Sequence, residues 1–247
     1  MSDDLPQLSP GAVVTDDEVI EGYRRDRAAT VPAGRPRAVI RPGTVAEVSR
    51  TLRWATENAV PVVPRGAGTG LSGGANAIDG CLVLSLERLT AIREIDAPHQ
   101  YAVVEAGVLN ADLGRAAAAA GMFYPPDPGS FEICTIGGNL ATNAGGMRCV
   151  KHGVTRDSAL GLEVVLADGT VLHTGSGARK DVAGYDLTSL FIGSEGTLGV
   201  ITSATLRIRP RPPRDPVTFV ASFPSLAAIG QAVDAITASG CVITRAG

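Results

Sequence analysis

Apolar and charged positions over the first 35 residues follow no fixed period, and this stretch reads as an arm closing on VPAGRPRA. A pattern begins at AVIRP, a short strand. Val45, Val48, Leu52, Ala55 and Ala59 then recur every three or four positions, which puts one apolar face on a helix over 45–59. Thr44, with Glu47 three residues on, predicts a capping box at its start. PVVPR is the next strand and runs into the loop RGAGTGLSGG. CLVLSLERL is a third strand, apolar enough to be covered on both faces.

AIREID and YAVVEAGV read as a hairpin turning at 97–100, and LGLEVVLADGTVLHTG as a second one turning at Asp168-Gly169. Asn110 is placed to cap a helix running through Ala120, with Gly121 as its stop. The segment from Pro125 to Gly153 is glycine-rich and shows no period. DLTSLFIG is a short helix and LGVITSATLRIRP a long strand, and the cluster RPRPPRDP marks a domain boundary. Beyond it VTFVASF reads as a strand, and Ser225 as the cap of a helix with Leu226, Ile229, Val233 and Ile236 on one face. A lone strand and helix cannot bury their apolar faces by themselves, so this end reads as the opening of a further domain that the chain does not contain.

Composition narrows the class. Of 247 residues, 45% are hydrophobic and 19% charged, the balance of a chain with a sizeable core. A net charge of −3 and 4% aromatics give neither the footprint of a polyanion binder nor a platform for stacked bases, so no nucleic-acid partner is expected. MSDDLPQLSP lacks the basic-then-apolar order of a secretory leader, and no apolar run reaches the roughly 20 residues that span a bilayer. A cytoplasmic chain without a transmembrane segment is the expectation. Cys81, Cys134, Cys149 and Cys241 form no C-x-x-C pair, so no metal centre is expected.

The chemistry turns on glycine. Gly68, Gly70 and Gly73 fit G-x-G-x-x-G, with Glu87 at the distance of a ribose ligand. A Rossmann fingerprint also needs a helix after the loop. Only GANAIDG separates Gly73 from CLVLSL, too short for a crossover of roughly a dozen residues, and no Lys-Ser/Thr makes a Walker loop. What remains is a wide loop whose N–H groups can form a nest for a diphosphate, or a plain turn between strands. Arg65 either adds charge to it or is simply solvated. PPDPGSFEICTIGGNLATNAGGMRCVKHGVTRD and GSEGTLGVIT are further glycine-dense segments, and together these loops can line a long, flat, partly anionic ligand.

In this order, VVPRGAGTGLSGG, PPDPGS, TIGGNLATNAGGMR, KHGVTRD and GSEGTLGVIT resemble the FAD-binding half of the FAD-linked oxidases of the vanillyl-alcohol oxidase type. Within that superfamily they are most similar to the glycolate oxidase FAD subunit and the D-lactate and D-2-hydroxyglutarate dehydrogenases. The resemblance covers about residues 35–245. It implies an α+β chain with the PCMH-type FAD-binding fold: an arm over 1–35, one α+β subdomain over 36–95, a second over 96–212, and over 213–247 the first strand and helix of an incomplete cap domain. It implies FAD, held non-covalently because the first glycine loop has no histidine. Pro64, Arg65, Gly66, Ala67, Gly68, Thr69, Gly70 and Leu71 would wrap the pyrophosphate. Pro126, Asp127, Gly129 and Ser130 would lie near the flavin and its linker, as would Ile136, Gly137, Gly138, Asn139 and Asn143. Gly145, Gly146 and Gly153 would line the same cleft, and Glu195, Gly196, Leu198, Gly199 and Ile201 would close on the adenosine side and ribityl chain.

The implied reaction removes two electrons from a 2-hydroxy acid, the α-hydrogen passing as hydride to flavin while a base takes the hydroxyl proton. The family draws that base and its metal-binding histidines from the cap, in motifs such as H-x-G-D-G-N, which this sequence lacks. No catalytic residue is therefore assigned here. The partners implied are a small 2-hydroxy acid and other oxidase subunits. His152 stands where relatives usually have tyrosine and reads as an aromatic-for-aromatic exchange beside the cofactor. His99 and His173 read as surface or packing residues, Asp157 as a local ion-pair partner of Arg156, and Lys180 and Asp181 as a solvated loop. Two other readings stay open: a flavin-binding module without turnover of its own, and a superfamily oxidase of another alcohol.

Overall fold

The computed structural model describes residues 5–177, 182–211 and 220–239. The first layer contains β1 (Val13–Val14), α1 (Asp17–Tyr23), β2 (Ala38–Ile40), α2 (Val45–Glu57), β3 (Val62–Arg65) and β4 (Leu82–Ser85). Its sheet has the order β1-β2-β4-β3; β2, β4 and β3 are parallel, and β1 pairs antiparallel with β2. Side chains alternate across a strand. Accordingly Ile40, Leu82 and Leu84 pack with Val48, Leu52 and Ala55 of α2, while Val39, Val63 and Val83 pack with Ile20 of α1 on the other face. All of β4 is buried, as the apolar run CLVLSL requires.

The second layer follows with β5 (Ile92–Asp96), β6 (Tyr101–Glu105), α3 (Asn110–Ala119), β7 (Met122–Phe123), α4 (Ile136–Thr142) and α5 (Cys149–His152). A 3-10 turn at Thr155–Ser158 leads to β8 (Ala159–Val165), β9 (Val171–Thr174), α6 (Leu187–Phe191), β10 (Val200–Arg207), β11 (Arg209–Pro210) and α7 (Leu226–Ala238). The sheet order is β5-β6-β10-β8-β9, antiparallel throughout, and β7 with β11 forms a separate ribbon. Ala102, Val104, Leu162, Val164, Ala204 and Leu206 of this sheet pack under Leu113 and Ala117 of α3 and Ile136 and Leu140 of α4. The layers share a seam: Ala106, Val165 and Val200 belong to the core of the first layer. Ser49 Oγ and Thr56 Oγ1 of α2 donate to the carbonyls of Gly169 and Ala167 at the second hairpin turn.

Several local expectations change. The arm is built into the first sheet through β1, and Asp16 caps α1 by accepting from Glu18 N and Val19 N. At α2, Thr44 accepts from Glu47 N, but the buried Glu47 carboxylate accepts from Ser9 N and Gly43 N instead of Thr44 N, so only half of the capping box forms. Leu109, not Asn110, is the cap residue of α3; Asn110 lies in the first turn and spends its amide on the Pro126 carbonyl. TIGGNLATN is a helix, α4, started by Thr135 accepting from Gly138 N and ended by Asn143 in the left-handed region at φ 49°. The 66–81 connection holds no helix, yet it joins two parallel strands, because its length as open loop suffices for the crossover. Arg156 donates to the Ile192 carbonyl and Asp157 accepts from Val154 N, with no ion pair between them. Of VTFVASF, residues 220–223 carry no strand and the remainder lies outside the described residues, as do Lys180, Asp181, Cys241 and most of the Pro/Arg cluster. Ser225 does cap α7, accepting from Ala228 N, and Leu226, Ile229 and Val233 on that helix are exposed.

Candidate functional site

A cleft of about 460 Å³ runs along the seam between the two layers, within the usual size of small-molecule sites. Its floor is the loop after β3. Pro64, Arg65, Gly66, Ala67, Gly68, Thr69, Gly70 and Leu71 all line it, followed by Ser72, Gly74 and Ala75. Among the described residues, the N–H groups of residues 67–71 have no protein acceptor. Consecutive free donors of this kind form an anion nest.

The opposite wall is α4. Its Ile136 and Leu140, one turn apart, face the core. That leaves Gly137, Gly138, Asn139, Ala141 and Thr142 against the cleft. Asn139 is 3% exposed, and among the described residues its Nδ2 has no hydrogen-bond partner. A buried amide donor left unmade costs about 1–3 kcal/mol, so this group points to a ligand acceptor. The third wall is the turn before β10, with Glu195, Gly196, Gly199, Val200 and Ile201. Glu195 sits at φ 51°, donates its N–H to the Ala141 carbonyl and accepts from Ser72 Oγ.

Arg65 is not solvated. It is 8% exposed, its guanidinium lies 5.8 Å from the Tyr23 ring centroid, and Nη1 donates to the Arg25 carbonyl at 2.9 Å. Burial pushes its pKa down, partly countered by Asp26, Tyr23 and Glu87. The cation thus lies directly behind Gly68, whose missing Cβ leaves it room. Tyr23 in turn donates to the Glu87 carboxylate at 2.8 Å; burial and that carboxylate raise its pKa.

Of the other sequence-selected residues, Ser130 lines the cleft, while Pro126, Asp127, Gly129, Ile136, Asn143, Gly145, Gly146, Gly153 and Leu198 lie outside its wall. Several of these build the wall from behind. Pro126 O receives the Asn110 amide, Asp127 accepts from Arg148 N, and Gly146 packs directly on Asp127. Ile136 is fully buried in the core, and Asn143 ends α4 and accepts from Arg156 N. Asp26, Leu86, Ala106, Thr135 and Ala144 also line the cleft, outside the glycine-dense motifs or without a motif signature of their own. Thr135 carries a cap signal once the segment is read as a helix; Asp26 carries none. His152 stacks edge-on to Phe123 at 5.3 Å, and burial together with Lys151, Arg209 and Arg148 lowers its pKa. His99 pairs with Asp96 at 2.8 Å on the first hairpin turn. No group of three or more metal-ligating side chains occurs among the described residues, and no helix among them is long and apolar enough to cross a membrane.

Two α+β layers enclosing a donor-lined cleft define a dinucleotide-binding fold, and solved structures share it. The chain superposes on alkyldihydroxyacetonephosphate synthase with a TM-score of 0.81 at 22% identity, over 96% of this chain and 45% of that one. It superposes on 4-ethylphenol oxidase from Gulosibacter chungangensis with a TM-score of 0.72 at 26% identity, over 84% and 41%. The fold is the PCMH-type FAD-binding fold. Residues 36–175 match the FAD binding domain family, and the chain belongs to it; FAD is the cofactor this family binds. Among curated relatives, glycolate oxidase subunit GlcD of Bacillus subtilis is 48% identical over 83% of this chain and 43% of its own length. D-lactate dehydrogenase of Archaeoglobus fulgidus is 44% identical over 83% and 46%, and D-2-hydroxyglutarate dehydrogenase of Xanthomonas citri 46% over 75% and 39%. The chain spans less than half the length of these relatives.

The cleft fits the cofactor. The orphan Asn139 amide and the free N–H groups of residues 67–71 are donors without acceptors, and FAD supplies phosphate, carbonyl and ring-nitrogen acceptors along its length.

Proposed function

We propose that the chain is the FAD-binding portion of a flavin-dependent D-2-hydroxy-acid dehydrogenase or oxidase, of the glycolate oxidase or D-lactate dehydrogenase kind. The observation that carries the cofactor half is the buried, unpartnered Asn139 Nδ2 facing a loop of free backbone donors. The similarity to relatives named for hydroxy acids supports the substrate half. Bound FAD supplies a two-electron acceptor for the substrate α-hydrogen.

The chain's own residues then have binding and orienting work. The N–H groups of 67–71 hold the diphosphate, with the Arg65 cation behind them. Asn139, Gly137 and Gly138 present amide and backbone donors from α4, and Glu195, Gly196 and Gly199 close the far end. The remaining family-implied contacts, from Pro126 to Gly153 and Leu198, act through the loops they support. Attachment is non-covalent on this reading: among the described residues, no histidine, cysteine or tyrosine lines the cleft.

A second reading, a flavin module without turnover of its own, is favoured by one observation. The cleft's carboxylates, Asp26 and Glu195, are both engaged by loop groups, and among the described residues no histidine lines it and no side chain on its wall stands free as a base. Purified chain should be yellow and release all flavin absorbance on denaturation. Anaerobic addition of glycolate or D-lactate tests the second reading: bleaching of the bound flavin would exclude a module without turnover of its own. Colourless folded chain with no affinity for FAD would sink both.

A further inference from the structure

The family match begins at residue 36, yet the segment before it reaches into the cleft. After α1 the chain crosses over the glycine loop and is bonded to it repeatedly. Arg27 N donates to Gly70 O at 2.9 Å, and Ala77 N donates to Arg24 O at 2.9 Å. Asn76 accepts from Asp26 N at 2.7 Å and donates to Val31 O. The centre of this arrangement is the Asp26 carboxylate. One oxygen accepts from Gly73 N at 2.9 Å and the other from Ala28 N at 2.8 Å, so the same side chain fixes the crossing segment and the turn of the loop. Gly70 lies close against it: a Cβ there would sit 3.2 Å from Asp26 Oδ2.

A carboxylate beside a nest for a diphosphate is, on charge alone, a liability, since like charges repel. Its position makes sense only through what it holds. We propose that Asp26 is a positioning residue for the dinucleotide: it pins the 70–73 turn so that the N–H groups of 67–71 stand ready as donors before the cofactor arrives. This rests on the reading of the cleft as the FAD site. The far side of the same turn is tied by Ser72 to Glu195, so the loop is held by carboxylates from both layers.

The two accounts of Asp26 predict opposite signs. Asp26→Asn removes the negative charge but leaves one acceptor oxygen for two N–H donors, with an amide nitrogen facing the other. If charge governs, FAD binds tighter. If positioning governs, FAD binds weaker by about 10- to 100-fold, the range for losing one charge-assisted hydrogen bond. The experiment uses apoprotein of the chain and of three variants, with flavin fluorescence titration of FAD and riboflavin and competition by ADP. Wild-type affinity for FAD tests the cofactor reading by itself; the ratio of variant to wild type tests Asp26. Expected is a parallel loss for FAD and ADP with riboflavin unchanged, because only the first two carry the diphosphate. Asp17→Asn, the same charge change on an exposed neighbour, should leave all three unchanged. Asn76→Ala, which removes the acceptor for Asp26 N and the donor to Val31 O without changing the charge, provides a second route should Asp26→Asn fail to fold, and should weaken FAD and ADP alone. Tighter or unchanged FAD binding in folded Asp26→Asn, or equal losses for riboflavin and FAD, would overturn the proposal.

Discussion

Gly66 sits where the first glycine loop crosses α4, and this contact yields a test with a definite sign. A Cβ at Gly66 would fall on Thr135 Oγ1, closer than real Cβ atoms come, while Gly138 N and Cα stay at 3.6 Å. Gly66 does not have a positive φ, so alanine meets a steric obstacle and not a backbone one. The obstacle is a hydroxyl already in use, since Thr135 Oγ1 caps α4 by accepting from Gly138 N at 3.2 Å. Gly66→Ala must either drive Thr135 off its rotamer and break the cap, or lift the loop from the helix. Losing a threonine cap costs about 1 kcal/mol, and an off-rotamer side chain about 0.5–1.5 kcal/mol more. A destabilisation near 2 kcal/mol is expected for Gly66→Ala, and about 1 kcal/mol for Thr135→Ala.

In the double variant the hydroxyl is gone and so is the clash. Alanine then gains about 0.4–1 kcal/mol by restricting the unfolded chain. The double variant should therefore be no less stable than Thr135→Ala alone, where simple additivity predicts a loss of about 3 kcal/mol. Urea unfolding of the four apoproteins, with m-values checked for constancy, measures the cycle. Additivity within about 0.5 kcal/mol would refute the reasoning, because it would mean the loop and helix separate without meeting through that hydroxyl.

Tyr124 is 3% exposed with a hydroxyl that has no partner among the described residues, and burial pushes its pKa far up; Tyr124→Phe should stabilise the fold by about 1 kcal/mol in urea unfolding, and a loss of that size would contradict it. For Glu47, burial alone would raise the pKa, but hydrogen bonds from Ser9 and Gly43 and the Arg50 charge outweigh it and hold the carboxyl below 4.5. A carboxyl lowered in the folded state contributes its stability in full above the unfolded value and loses it as pH falls through the folded one. Glu47→Gln should thus be less stable than wild type at neutral pH, with the gap closing below pH 4.5 in thermal melts; a gap that persists in acid would contradict the assignment. His152 should titrate below 6.5 by NMR, because burial and three neighbouring cations disfavour its charged form. Lys151→Met should move that midpoint upward, and an unmoved midpoint would remove the electrostatic cause.

The parts of this fold written in local pattern were legible in the sequence. The step of Val45, Val48 and Leu52 gave α2, Asp168-Gly169 gave the second hairpin, and Ser225 gave the start of α7. What the pattern does not contain is long-range pairing. Nothing in VV at 13–14 says that it will close the edge of a sheet against residues 39–40. TIGGNLATN hid as a helix because two glycines argue against one locally. The helix stands because Thr135 caps it and because Ile136 and Leu140 enter the core on consecutive turns. Asp26 was invisible for the same reason: an aspartate among arginines in an arm has no periodic signature, and its partners in the glycine loop, Gly73 and Asn76, lie about fifty residues away in the chain.

Glycine-dense loops suggest openings for a ligand to approach, and the structure gives many of these glycines a different duty. A Cβ at Gly137 would strike Ala106, at Gly196 the Pro64 ring, and at Gly199 Val164. Each of these contacts joins one wall of the cleft to another segment of chain. Glycine is required there because segments pass too close for a side chain, whether or not a cofactor is bound. This explains why the first G-x-G-x-x-G misleads as a Rossmann motif: its spacing serves a seam between layers, where Gly68 makes room for Arg65 and Gly73 for Val31. On the proposed reading, ligand binding falls to what the close approach leaves exposed, a row of backbone donors and one buried amide, and those are set by the fold as a whole. A cofactor that bridges the walls must also stabilise the seam by mass action, so the same glycines that give the cleft its shape decide how strongly FAD and folding reinforce each other.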